Sequence, residues 1–236
     1  MTLKAVFSDP SDTYSALKQD WDKPPADGTS LAEFYAWEER RVDAMRQGRA
    51  HPFCYVWVPE ASISLSRREA ARLDVAGFSA EALAVRGTGG TAVPQGPGTA
   101  NITLFTRHNF APDITSYYGE MCAALQNGFR ALGLTTTIGA KPGSFCDGAF
   151  NILLDDKKLA GRAQRWCRAK NGQTLGCHHV VVLTGGDPNT LCRRVENLYD
   201  YAKKPEQYDV ELHSSESIEI RSLQSAMMKS LAGLVV

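Results

Sequence analysis

The sequence predicts an α+β fold, with mixed, largely antiparallel sheets packed against helices. Three observations carry that prediction. Short β-rich runs crowd the second half of the chain, two of them joined through Asn171-Gly172, a hairpin signal. Helix-opening patterns (Ser30-x-x-Glu33, Ser66-x-x-Glu69, Asp113, Asp187-Pro188) interrupt the runs at irregular intervals. A doubly wound parallel sheet would need a helix between nearly every pair of strands, and this order does not supply one.

Taken along the chain, Asp22 to Gly28 is a Pro/Gly-rich entry loop. It divides an N-terminal arm, 1–29, from a single domain over 30–236 that ends in a helical segment. Ser30 opens a helix to about Gln47, stopped by Gly48, with Leu31, Phe34, Tyr35, Val42 and Met45 on one face. Phe53 to Val58 (FCYVWV) reads as a central strand, and Ser66 opens a short Ala/Arg helix. Ala82 to Val85 is a strand leading into the glycine-rich stretch Gly87 to Gly98, and Asn101 to Phe105 resumes as strand. Asp113 opens a long helix whose apolar positions are Ile114, Tyr117, Tyr118, Met121, Leu125 and Phe129, ending at Gly133. Strands follow at Thr135 to Ile138, Phe150 to Leu154, Leu159 to Arg168 and Leu175 to Leu183, the last two joined by a type I′ turn at Asn171-Gly172. Asp187-Pro188 starts a helix to about Tyr201, and the segment from about Ser217 is helical.

Composition narrows the function classes. The chain has 236 residues, 26 basic against 26 acidic side chains and 43% hydrophobic residues, enough to bury a full core. Balanced charge argues against a dedicated nucleic-acid binder, because phosphate affinity needs a clustered cationic surface. No apolar h-region opens the chain and no stretch approaches the length of a membrane span, so a cytoplasmic protein without membrane attachment is expected. Six cysteines (Cys54, Cys122, Cys146, Cys167, Cys177, Cys192) without a CxxC pair read as reduced thiols.

Two motifs carry chemistry. Gly87-x-Gly89-x-x-Ala92 formally fits a dinucleotide fingerprint, but Pro94, Pro97 and Gly98 oppose the helix that fingerprint needs. No Gly-Lys-Ser/Thr is present for a phosphate loop. What remains is a loop of backbone N–H groups behind Arg86, suited to a carboxylate, phosphate or acyl-phosphate. In the second motif, Asp155-Asp156 is a tight turn running into a strand. Lys157 and Lys158 should face opposite ways there, so only one can enter a pocket. Ala160 and Gly161 let another group approach the backbone closely.

Together, Arg86-Gly-Thr-Gly-Gly-Thr-Ala-Val93 and Lys158-Leu-Ala-Gly-Arg-Ala-Gln-Arg165 resemble the paired motifs of the lipoate–protein ligase and octanoyltransferase superfamily. The resemblance covers Ser30 to about Tyr201. It implies a biotin/lipoate-ligase-like catalytic domain that attaches octanoyl or lipoyl groups to a lysine of a lipoyl carrier domain. That carrier would be of the glycine cleavage H protein or 2-oxoacid dehydrogenase acyltransferase-subunit type, and an acyl carrier protein is a further partner to consider. The ligases usually carry a second arginine where this chain has Val85. They also continue as Tyr-His-Asp-x-Gly-Asn where it has Pro94-Gln95-Gly96-Pro97-Gly98-Thr99, and this weakens ATP and adenylate binding. Gly96-Pro97-Gly98 is closer to the His-Gly-Pro-Gly segment of one octanoyltransferase class, with Gln95 in place of the histidine.

Cys146, on the loop Gly143 to Gly148, is similar to the acyl-carrying cysteine of the octanoyltransferase and amidotransferase branch. Lys158 nearby would favour its thiolate. Cys192 is the reserve nucleophile, but it falls inside the Asp187 helix, and the other thiols read as packing. Cys177-His178-His179 does not read as zinc, because neighbouring strand residues point to opposite faces and no spaced partner is evident. The resemblance implies a packing or pocket-wall role for a histidine of this strand.

The expected enzyme is a protein-lysine acyltransferase. Cys146 and Lys158 are catalytic, and Arg86, Thr88, Gly89, Gly90, Ala92, Gly161 and Ala163 bind substrate. This thioester route needs no cofactor. The alternatives are an ATP- and Mg-dependent lipoate–protein ligase and a non-catalytic lipoate-binding protein.

Overall fold

A computed structural model describes residues 23–235; the first twenty-two residues of the expected arm lie outside them. The described strands are β1 (Phe53–Trp57), β2 (Ser62–Ser66), β3 (Ala82–Arg86), β4 (Val93–Gln95), β5 (Thr99–His108), β6 (Thr136–Gly139), β7 (Asn151–Leu154), β8 (Lys157–Arg168) and β9 (Thr174–Leu183). The helices are α1 (Leu31–Arg46), α2 (Arg67–Arg72), α3 (Ile114–Ala131), α4 (Pro188–Tyr201) and α5 (Ile220–Leu231). A six-stranded sheet has the order β1-β5-β9-β8-β7-β6, antiparallel throughout. A three-stranded sheet, β3-β2-β4, pairs β2 with β3 in parallel and with β4 antiparallel. The fold is therefore α+β with largely antiparallel sheets.

The helix boundaries follow their caps. Ser30 Oγ accepts the Glu33 N–H, Ser66 Oγ the Glu69 N–H, Asp113 the Ser116 N–H, and Asp187 the N–H groups of Asn189 and Thr190. Each cap satisfies N–H groups that the first turn leaves unpaired. The apolar face of α1 is buried as expected. On α3, Ile114 falls on the exposed first turn, and Cys122 packs into the core instead.

Four local expectations change. Among the described residues FCYVWV is an edge strand, pairing only with β5. Its unbroken apolar run has another cause: α1 covers one face, with Phe34 stacked 3.5 Å from Trp57, and Cys54 and Val56 enter the core on the other. Ser62–Ser66, unassigned from sequence, is the buried centre of the small sheet. Val93–Gln95 of the glycine-rich stretch is a short strand. The turn at Asn171-Gly172 is not type I′: Gly172 takes a positive φ (+86°), but Asn171 is not among the positive-φ residues. Its side chain accepts the Gln173 N–H instead, while Gly172 N–H donates to Ala169 O. A two-residue turn with both central residues left-handed joins β7 to β8, at Asp155 and Asp156 (φ +48° and +60°).

The large sheet has two unlike faces. On its back, Ile102, Leu104, Ile152, Val180 and Val182 pack against Met121, Leu125 and Phe129 of α3 and Leu223, Met227 and Leu231 of α5. On its front, α1 covers Trp57, Phe105 and Cys177 at one end. The small sheet, with Ile63, Leu65 and Ala92 packed against Val195 and Leu198 of α4, forms a separate apolar cluster. Among the described residues no helix is long and apolar enough to cross a membrane.

Candidate active site

Between the front of the large sheet, the small sheet and the Gly143 to Gly148 loop lies a cleft of about 620 Å3, counted with its open mouth. Arg86, Cys146, Lys158, Gly161 and Ala163 line it, and the sequence singled out all five. Lining residues it did not single out include Tyr35, Ser64, Asn101, Thr103 and Phe145. Asn101 and Thr103 alternate along β5 with the buried Ala100, Ile102 and Leu104. That period-two alternation was the available signal.

A bulge brings Lys158 into the cleft. In β7–β8 pairing, Ile152 faces Ala160 but Leu153 faces Lys158, so the register slips at Leu159. In a regular strand Lys158 and Gly161 would point to opposite faces; the extra residue re-aims the lysine. Its side chain then folds over Gly161, where an added Cβ would lie 3.0 Å from Lys158 Cε. Lys158 is 2% exposed, and its Nζ donates to Phe145 O (2.5 Å) and Cys146 O (2.9 Å). Burial pushes its pKa down to about 8, opposed by the nearby Cys146 thiol and Asp147 carboxylate. Lys157 does point away, pairing with Glu211 at the surface (3.3 Å).

Arg86 organises the glycine-rich loop from inside. Nε and Nη2 donate to Gly89 O, Nη2 also to Thr91 O, and Nη1 to Ser64 O and Oγ. All five guanidinium N–H groups are thereby used within the protein. Thr88 and Ala92 are buried behind the cleft lining, with Thr88 Oγ1 bonded to His179 Nδ1 (2.9 Å) and Ala92 N–H donating to Tyr199 OH (3.3 Å). Gly89 supplies the carbonyl that Arg86 binds. Gly90 has φ +97°, and a Cβ there would sit 2.7 Å from Cys146 Sγ, so the loop can approach the thiol only through glycine.

Cys146 itself is a non-glycine residue in the left-handed region, φ +49°. Thr91 N–H donates to its sulfur at 3.3 Å, a contact sequence reading missed. The two sequence motifs therefore meet at one residue, Thr91 at the Cys146 sulfur and Lys158 at its carbonyl. Burial raises the other five thiols: Cys54 and Cys192 to about 12, Cys177 well above its ordinary value, and Cys122 and Cys167 upward. Cys192 sits inside α4, 1% exposed.

Below the cleft, Cys177 and His179 share the front face while His178 turns to the back, where Thr106 Oγ1 meets its Nε2 at 3.1 Å. Glu38 of α1 hydrogen-bonds His179 Nε2, and Tyr35 stacks on the ring 5.8 Å away. Glu38, Cys177 and His179 bring three ligand-type atoms within 4.8 Å of one another. Glu38 and Thr88 already occupy both imidazole nitrogens. Nothing in the local spacing pointed to Glu38, which comes from a helix distant in sequence.

The sequence profile of the lipoyl protein ligase A/B catalytic domain matches residues 30–231. An octanoyl-[GcvH]:protein N-octanoyltransferase of Kyrpidia tusciae is 30% identical over 124 residues, covering 49% of this chain and 42% of that protein. An uncharacterized protein of Cupriavidus necator is 33% identical over 144 residues, 56% of each. The chain thus spans about half the length of these curated relatives. Among solved structures, a lipoate-protein ligase A bound with ATP superposes with a TM-score of 0.59 at 20% identity, covering 81% of this chain and 77% of that one. A lipoate protein ligase with its E2 lipoyl domain from Thermoplasma acidophilum gives 0.57 at 19%, covering 81% and 75%. At such identities the superpositions speak for the fold.

Proposed function

The chain belongs to the lipoyl protein ligase A/B catalytic-domain family, and from that premise we propose that it is a protein-lysine acyltransferase working through a thioester of Cys146. The observation that carries this reading is Cys146: a thiol at the cleft wall, in a left-handed backbone, receiving the Thr91 N–H. The Cys146 sulfur attacks the carbonyl carbon of a carrier-bound octanoyl or lipoyl group, and the donor heteroatom leaves with the bonding pair and takes the proton that the thiol gives up. The amine of a lipoyl-domain lysine then attacks the acyl-enzyme, the C–S bond breaks, and the amine's proton returns to the sulfur. Lys158, with its charge beside the thiol, and the glycine-rich loop amides stabilise the oxyanion in both steps. Gly161 leaves room for the Lys158 side chain, and Ala163 beside it for the acyl chain along β8.

The relatives' names supply a candidate donor and acceptor, octanoyl-GcvH and a second protein. A thioester on an acyl carrier protein is the other donor class, and either passes its acyl group to a lipoyl domain of the H-protein or 2-oxoacid dehydrogenase type. The route uses no cofactor and suits a cytoplasmic enzyme, with 30–236 as its single catalytic domain. The ligase alternative, with ATP and Mg, would have to hold its triphosphate through groups other than Arg86, whose five N–H groups all bond within the protein.

The test is acylation of an apo lipoyl domain from octanoyl-GcvH or octanoyl-acyl carrier protein without ATP, beside free lipoate with ATP. Transfer without ATP, abolished in Cys146→Ser, is expected. Transfer only with ATP and indifferent to that substitution refutes the reading, and lipoate binding without transfer makes the chain a binding module.

A further inference from the structure

We propose that His213 is a positioning residue for Cys146, the strut that holds the thiol loop in its left-handed posture. This deepens the reading of Cys146 given above and rests on it. A left-handed non-glycine residue persists only where its surroundings over-determine it. Lys158 Nζ binds the carbonyls of Phe145 and Cys146, but the buried Phe145 N–H needs an acceptor of its own. His213 Nε2 supplies it at 3.2 Å, and the imidazole stacks on the Phe145 ring with centroids 4.5 Å apart and planes 18° off parallel.

Only one tautomer can do this. His213 Nδ1 lies 3.0 Å from Asp209 O, an acceptor without a hydrogen to give, so the proton sits on Nδ1 and the lone pair on Nε2. The histidine is 2% exposed, and burial, reinforced by the charge of Lys158, lowers its pKa to about 4, which favours the neutral ring.

The same short segment is tied to both motifs around the thiol. Asp209 N–H donates to Gly143 O (2.9 Å), closing the base of the cysteine loop. Ser214 N–H donates to Lys158 O (2.9 Å), and His213 forms a parallel bridge with Lys158. Residues 209–214 therefore set the relative position of the thiol loop and the strand that bears Lys158. From sequence, His213 is a lone histidine in a segment without a motif, because its partners lie far away along the chain.

A core histidine that merely fills space predicts something different. His213→Gln places an amide oxygen near the Nε2 position and should keep the bond to Phe145 N–H; His213→Leu keeps bulk without an acceptor. The measurement is the rate of Cys146 alkylation by iodoacetamide, mapped by peptide mass, in proteins with matched thermal unfolding midpoints. His213→Leu is expected to slow alkylation about tenfold or more, and His213→Gln to stay within about threefold of wild type. In octanoyl transfer, His213→Leu should lower kcat and leave the donor KM unchanged. Should His213→Leu fail to fold, His213→Asn, whose shorter side chain cannot reach Phe145, takes its place. Equal alkylation in wild type and the acceptor-free variant, or a glutamine variant as slow as it, overturns the proposal. Alkylation needs no substrate, so the strut can stand even if the wild-type protein transfers no octanoyl group.

Discussion

The two faces of the six-stranded sheet are built from alternate residues of the same strands and do different work. On β5, Ala100, Ile102 and Leu104 point back into the α3–α5 core, while Asn101 and Thr103 open forward into the cleft. On β9, Val180 and Val182 go back, and Cys177 and His179 go forward. Each fully buried Ile, Leu or Val on the back stabilises the fold by roughly 1.5–3 kcal/mol. The front instead holds polar groups in pairs, Asn101 Nδ2 to Gln95 Oε1 at 2.7 Å and Trp57 Nε1 to Thr103 Oγ1 at 3.3 Å. An unpaired group there would cost about 1–3 kcal/mol. Apolar packing backs the sheet along α3 and α5, whereas on the front it is confined to the end under α1, and the remainder keeps a cavity and a left-handed thiol loop.

That division can be broken by substitution. Lys158→Met on the front should lower kcat for octanoyl transfer by about a hundredfold to a thousandfold, through loss of oxyanion stabilisation. If transfer survives, Lys158 only holds the loop. Leu125→Ala, on the α3 surface behind the sheet, should cost about 2–5 kcal/mol in urea unfolding while kcat per folded molecule is unchanged. A loss of kcat without loss of stability would erase the distinction between the faces.

A pH titration sharpens it. Lys158 is held near 8, below its ordinary 10.5, so between those values the unfolded chain keeps a proton that the native state has released. Stability from this group therefore rises with pH across that window, by ~3 kcal/mol. The unfolding free energy of wild type minus that of Lys158→Met should climb accordingly from about pH 7 to pH 10.5. A flat difference means the lysine is not desolvated. The smallest effect belongs to its neighbour: Lys157→Ala, whose pair with Glu211 is exposed, should change stability by under ~0.5 kcal/mol and leave transfer untouched.

Local signals in the sequence were read correctly where the physics is local. Ser30, Ser66, Asp113 and Asp187 cap helices because a cap needs only a side chain and the next turn. The glycine-rich loop and the Lys158 strand are recognisable as motifs, and both reach the loop that bears Cys146. What escaped depends on tertiary neighbours. FCYVWV reads like a central strand because helices cover both its faces, and periodicity does not report which edge is bare. Asp155-Asp156, without glycine, takes the turn that Asn171-Gly172 advertises, since the short β7–β8 connection demands it. Glu38 and His213 reach the site from distant segments and belong to no motif, and Thr91, inside the glycine-rich motif, carries no local sign that its N–H meets Cys146.

The account turns on whether Cys146 carries the acyl group. The direct measurement is intact-protein and peptide mass spectrometry after brief incubation with an octanoyl-carrier donor and no acceptor. The account predicts one octanoyl group per chain, labile to hydroxylamine, on the peptide containing Cys146, and discharged when an apo lipoyl domain is added. Turnover with no such adduct, an adduct on Cys192, or an adduct that appears only with ATP would contradict it.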